Sequence, residues 1–111
     1  MATLFTKIIN REIPADIVYE DENVVAFRDI VPQAPIHIVI VTRAEISGPA
    51  AVPEHGQHQH LINAARKIAE QLGVQDKGYR LVLNQGEDGG QSVDHLHMHL
   101  LAGRKMTWPP G

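Results

Sequence analysis

Histidine occupies every second position in His95, His97 and His99, with Leu96, Met98 and Leu100 between. Successive side chains of an extended strand point to opposite faces. That alternation puts three imidazoles on one face of a strand and three apolar side chains on the other. A helix would spread the same three rings over about 400° of arc, with no common face. The pattern therefore asks for a strand with a packed side and a chemical side. Imidazole is the side chain whose unperturbed pKa lies nearest neutrality. A row of them suits nucleophilic catalysis, proton transfer, phosphate binding or metal ligation.

The rest of the chain supplies elements for such a strand to join. Leu4, Phe5, Ile8 and Ile9 have helical spacing after Thr3, an N-cap residue type, and Pro14 is expected to stop this short helix. Phe5 and Ile8 either lie on the core or form one wall of a pocket for a flat apolar group. Residues 17–20 and 24–29 read as a hairpin around the turn at 21–23. Pro32 and Pro35 then interrupt, and residues 36–42 form a third strand, apolar except for His37 and Thr42. His37 is either a satisfied core histidine or a neighbour of the histidine row. Pro53 and Glu54 suit the first turn of a long helix whose apolar stripe is Leu61, Ile62, Ala65, Ile68, Ala69 and Leu72, closed by Gly73 at C′. His55, His58 and His60 near its start share no face and are expected in solvent.

Residues 79–84 alternate as a fourth strand. The glycine-rich loop 85–92 leads from it into the histidine strand, and so short a connection makes the two antiparallel neighbours. The loop is either a flexible connection or a backbone nest whose N–H groups meet an anion. The expected class is α+β: a five-stranded antiparallel sheet with one short and one long helix. Exposed edge strands in so small a sheet make dimerisation one way to cover them. Trp108, the single tryptophan, sits in a non-helical tail and is expected to dock on the surface.

Composition narrows the function classes. The 111 residues suit one domain over 1–111. A formal charge of −3 gives no basic footprint for nucleic acid. There is no cysteine, which excludes disulfides and thiolate chemistry and leaves a metal only His and carboxylate ligands. The opening residues lack the long apolar run of a secretory signal, and no stretch reaches the roughly 18 apolar residues of a membrane span. A soluble cytoplasmic protein without membrane partners is expected.

His95-Leu96-His97-Met98-His99-Leu100-Leu101 resembles the signature of the histidine-triad (HIT) superfamily, in which three histidines alternate with apolar residues. The similarity extends to residues 8–15, 27–35 and 84–92 and to the tail Trp108-Pro109-Pro110-Gly111, which is similar to the Hint branch of histidine-triad nucleotide-binding proteins. The resemblance implies a HIT-like fold, a homodimer with one continuous ten-stranded sheet, and hydrolysis of purine nucleoside 5′-phosphoramidates without a cofactor. It makes His97 the nucleophile that forms a nucleotidyl-histidine intermediate. His99, Asn84 and the backbone at Ser92 fall where the phosphate is contacted, with Gly90 and Gln91 beside them in the substrate-binding set. His95 and His37 take supporting and orienting roles. Asp29 matches the carboxylate that holds the ribose hydroxyls. Leu4, Phe5, Ile8, Ile13, Phe27 and Ile30 match positions around the purine, and Trp108 the amine side.

Two departures stand out. Asp94 occupies a position where the Hint branch usually has an aromatic or apolar residue, and it is expected to face solvent. The segment 47–60 carries extra histidines away from the motif. Three other readings remain: a dinucleoside polyphosphate hydrolase of the same superfamily, a zinc-binding or adaptor protein whose histidines hold metal, and a nucleotide-binding regulator with weak incidental turnover. The glycine-rich loop and Asn84 point instead to an anion.

Overall fold

The computed structural model describes residues 2–111, ordered as α1 (Leu4–Ile9), β1 (Ile17–Glu20), β2 (Val24–Arg28), β3 (Ile36–Thr42), a short 3₁₀ turn (Pro49–Ala51), α2 (His58–Gln71), β4 (Tyr79–Val82) and β5 (His97–Ala102). The five strands form one antiparallel sheet in the order β1-β2-β3-β5-β4. The expected α+β class and strand count are present, and β4 and β5 are antiparallel neighbours. No described helix is long and apolar enough to cross a membrane.

The register sorts the sheet into two faces. Ile38 and Ile40 on β3 lie with Val24 and Ala26 of β2 and with Met98, Leu100 and Ala102 of β5. Leu61, Ala64, Ala65, Ile68 and Ala69 of α2 cover this face. Three alanines on the covering helix let it approach the sheet closely. Each fully buried Ile or Leu here contributes roughly 1.5–3 kcal/mol. Ile62, expected in the stripe, is instead 43 % exposed. The opposite face carries Val25, Phe27, Val39 and Val41, on which α1 packs Phe5 and Ile8. The same face carries His37, His97 and His99. One face of the sheet is thus wholly structural, and the other is shared between a small core and the histidines.

Both helices end in the same way. Thr3 and Thr6 form a capping box at the start of α1. At its end the Arg11 N–H donates to Ile8 O and the Glu12 N–H to Lys7 O, with Arg11 at φ 62°. This Schellman turn stops α1 ahead of Pro14, which is not the terminator expected. Gly73, at φ 70°, closes α2 with the equivalent bonds from Gly73 N–H to Glu70 O and Val74 N–H to Ala69 O. The long helix starts at His58, not at Pro53. His55 is exposed, but His58 and His60 are half-buried, and the His58 Nδ1 is sealed from solvent without a partner among the described residues. Trp108 does not dock and remains 83 % exposed.

Candidate active site

The histidine strand begins later than its alternation suggests. Leu96 donates its N–H to Ile46 O at 2.6 Å, outside the sheet, and the His95 N–H goes to Val93 O. His95 therefore sits in a bend, and regular pairing starts at His97. Two histidines, not three, share the strand face. His95 is buried, with its Nε2 2.6 Å from Thr42 O. Because a carbonyl only accepts, His95 carries its proton on Nε2.

The same logic fixes the other rings. His97 Nδ1 lies 2.6 Å from His95 O, so Nδ1 holds the proton and Nε2 keeps a free lone pair. The Phe5 ring stands edge-on to His97, with centroids 4.9 Å apart. The Gln33 backbone N–H donates to His37 Nδ1 at 3.0 Å, which places the His37 proton on Nε2. That Nε2–H reaches His99 Nδ1 at 2.9 Å, so His99 in turn carries its proton on Nε2. Asp29 stands 3.5 Å from His37 Nε2, and its other oxygen accepts the Val31 N–H.

These rings are neutral at neutral pH. Burial pushes the His99 pKa down to about 4, helped by the nearby His97 and His37 rings and opposed by Asp29. Burial also lowers His97, against the bond to the His95 carbonyl, and lowers His37 against the Asp29 carboxylate. The result is a lone pair at His97 and an N–H donor at His99 on adjacent rings, with centroids 5.1 Å apart.

A cavity of about 250 Å³ opens beside them, between α1 and the sheet. It gathers ten of the expected residues: Leu4, Phe5, Ile8, Ile13, Phe27, Asp29, Ile30, Ser92, His97 and His99. Ile30 and Leu4 form its exposed rim, while Phe5, Ile8 and Phe27 form its buried wall. Val39, Val93, Pro14 and Ala15 also line it and were not expected. Period-two register with Phe27 would have found Val39. His37 and His95 stand behind the lining rings. Asn84 lines a different cavity with the C-terminal tail, and Trp108 lines neither of the two.

The glycine-rich loop takes positive φ at Gly86 and Gly90, as the first of its two readings needs, and side chains tie it down. Gln91 accepts the Gly86 N–H and donates through Nε2 to Ser47 O at 2.7 Å and Val93 O at 3.1 Å. Asn84 Nδ2 donates to Gly89 O, and the Ala50 N–H reaches the Gln85 side chain. A Cβ on Gly89 would fall 2.4 Å from Gln85 O, so the turn needs glycine there. Gly90, at φ 77°, lets the chain turn toward Ser92. The side chains of Gln91 and Asn84 thus hold the loop. Among the described residues, no protein acceptor takes the Ser92 N–H beside the cavity.

Asp29, His37 and His99 also place three possible metal-ligand atoms within 4.8 Å of one another. The donor set does not suit a cation as arranged. His37 receives the Gln33 N–H on Nδ1, so its Nε2 bears a hydrogen and has no lone pair to offer.

Sequence and structure comparisons agree on the kinship of this chain. The family model of the HIT domain matches residues 10–106. An uncharacterised HIT-like protein of Synechococcus elongatus is 50% identical over 113 residues, covering 98% of this chain and 96% of that protein. A 14 kDa zinc-binding protein of Zea mays is also 50% identical, covering 98% of this chain and 88% of that protein. The crystal structure of a HIT family hydrolase from Legionella pneumophila superposes with a TM-score of 0.95 at 46% identity, covering 99% of this chain and all of the other. A match over most of the length, with the histidine face set on the matching fold, makes this chain a member of the HIT family.

Proposed function

We propose that the protein is a single-domain purine nucleoside phosphoramidase of the Hint type, cleaving the P–N bond of AMP-amine conjugates through a nucleotidyl-histidine. The observation that carries this reading is the proton placement on His97. Its Nδ1–H is held by the His95 carbonyl, so the unprotonated Nε2 belongs to a neutral ring lining a cavity. A neutral imidazole nitrogen is a competent nucleophile at neutral pH.

The chemistry follows from these atoms. The purine enters between Phe5, Ile8, Ile13 and Phe27, with the ribose hydroxyls at Asp29. His97 Nε2 attacks the α-phosphorus, and the P–N bond breaks as the P–N(His) bond forms. His99 Nε2–H and the Ser92 N–H donate to the non-bridging oxygens, where negative charge develops. A donor placed in this way is typically worth roughly 2–4 kcal/mol of barrier. His99 is neutral and keeps its proton, so the departing amine leaves with a proton carried in on the substrate nitrogen. Water then attacks phosphorus and gives up a proton to solvent while the P–N(His) bond breaks, releasing AMP and the neutral His97 ring with its proton still on Nδ1.

A homodimer joined through the outer edge of β4 is part of the same reading. The edge strand, Leu83 at 42 % exposure and the exposed Trp108 supply apolar surface for a second copy. Light scattering tests it.

Incubation of an AMP phosphoramidate with wild type and His97→Ala tests the chemistry. Wild type is expected to turn over and to show an added nucleotidyl mass on quenching. The variant should bind AMP but lose turnover at least about 10³-fold. Equal turnover refutes the assignment. Faster cleavage of diadenosine polyphosphates than of the phosphoramidate would favour the dinucleoside polyphosphate reading. The maize relative's name and the Asp29–His37–His99 cluster support zinc binding as a second reading, but the donor set fits poorly for the reason given above.

A further inference from the structure

A second, larger concavity of about 740 Å³ adjoins the nucleotide cavity. The two share Leu4, Ser92 and Val93 as a common wall. The Ser92 N–H, placed above at the phosphate, thus stands on the ridge between them. A substrate whose phosphorus sits at His97 and Ser92 has its base in the first cavity and room for its other substituent in the second.

The lining of this second cavity has one electrostatic sign. Among the described residues, Glu45 and Asp94 both lie on it, and no lysine or arginine does. A third group agrees with them. The His95 side chain is 2 % exposed and also lines the cavity. Its Nε2–H is committed to Thr42 O, so Nδ1 is an acceptor. Among the described residues, that Nδ1 has no hydrogen-bond partner. A buried ring with an idle lone pair on the cavity wall, beside two carboxylates, makes a surface of acceptors. Such a surface suits a cation rich in N–H donors.

We propose that this cavity is the leaving-group subsite and that it selects phosphoramidates whose amine part carries a second, positively charged nitrogen. This rests on the phosphoramidase reading and narrows it to one substrate class. It also gives Asp94 a purpose. An aromatic side chain at that position would supply apolar contact; this chain supplies charge. The expelled amine is itself cationic once protonated, so the subsite also holds the product briefly.

The test uses two AMP conjugates of equal length, one to pentylamine and one to 1,4-diaminobutane, which keeps a free ammonium. The kcat/KM ratio of the charged over the neutral conjugate is measured for wild type and for Asp94→Asn/Glu45→Gln. Wild type should favour the charged conjugate about 3- to 10-fold at low salt, the range expected for two solvent-exposed carboxylates. The preference should fall toward unity in the double variant, and in wild type at high salt. The Kd ratio is measured in parallel on His97→Ala, where nothing is turned over. Turnover of both conjugates without a preference overturns the subsite and leaves the phosphoramidase reading standing. No turnover of either, with a Kd preference that the double variant loses, overturns the phosphoramidase reading and keeps the cationic subsite. Equal ratios in wild type and double variant, by rate and by Kd, overturn the subsite whatever the turnover.

Discussion

Removing one titrating ring should change how the protein's stability depends on pH. His99 has an ordinary pKa of 6.5 and is held to about 4 in the fold, by burial first and by the His97 and His37 rings next. A histidine whose native pKa is depressed binds fewer protons folded than unfolded between those values. Stability is therefore fully present above about 6.5 and is lost as pH falls toward 4. At 1.36 kcal/mol per pH unit the whole interval corresponds to about 3 kcal/mol. Between pH 7 and pH 5 the part lost is about 2 kcal/mol.

His99→Gln keeps an oxygen able to accept from His37 Nε2 and removes the titration. His97 and His37, also lowered by burial, contribute losses of the same sign in both proteins. His99 is neutral through most of this range, so its removal barely alters the field at those rings. Urea unfolding at pH 7 and pH 5 should show the variant losing about 2 kcal/mol less than wild type. Equal losses in the two proteins would refute the claim that His99 is held neutral by its surroundings.

Three further outcomes are expected. Gln91→Ala removes three hydrogen bonds that tie the glycine-rich loop to Ser47, Gly86 and Val93; these are worth about 1–3 kcal/mol together, and kinetics should show kcat/KM falling roughly 10- to 100-fold while urea unfolding shows a smaller loss. Gly73→Ala places a Cβ in open space but at φ 70°, so its cost is purely conformational, about 1 kcal/mol in denaturant unfolding. Exhaustive treatment with a chelator should leave phosphoramidate turnover intact, and zinc titration by calorimetry should show no stoichiometric site at Asp29, His37 and His99; loss of turnover restored by zinc would overturn the proton placement on His37.

What was legible in the sequence was mainly what is decided locally. The β1 and β3 bounds match because turn residues and prolines bracket them, and Thr3 caps α1 as its residue type suggests. Errors arose where a distant partner decides. Pro14 is not needed to end α1, because Arg11 takes the left-handed conformation first and pairs with Glu20 at 2.6 Å. His95 leaves the strand because Ile46 and Thr42, about fifty residues upstream, offer its segment carbonyl acceptors. The apolar wall of the cavity follows from the family resemblance, and residue spacing alone offers only Phe5 and Ile8 as a possible wall. Val39 and Val93 are not legible from local composition, because register and loop path carry them there.

The site's chemistry rests on main-chain groups more than on the histidine pattern itself. Three imidazoles at alternate positions do not determine which nitrogen of each carries a proton. Here the His95 carbonyl settles it for His97, and the Gln33 N–H settles it for His37 and, through the 2.9 Å bond, for His99. If either backbone group shifted, the roles would invert. His97 would offer a proton where a lone pair is needed, or His99 a lone pair where the phosphoryl oxygens need a donor. Fixing those groups requires the bend before β5 and the Pro32–Pro35 approach to β3. Under the proposed mechanism, then, the segments flanking the two central strands act by orienting protons they never exchange. Substitutions that move those segments should impair turnover even where every histidine is retained.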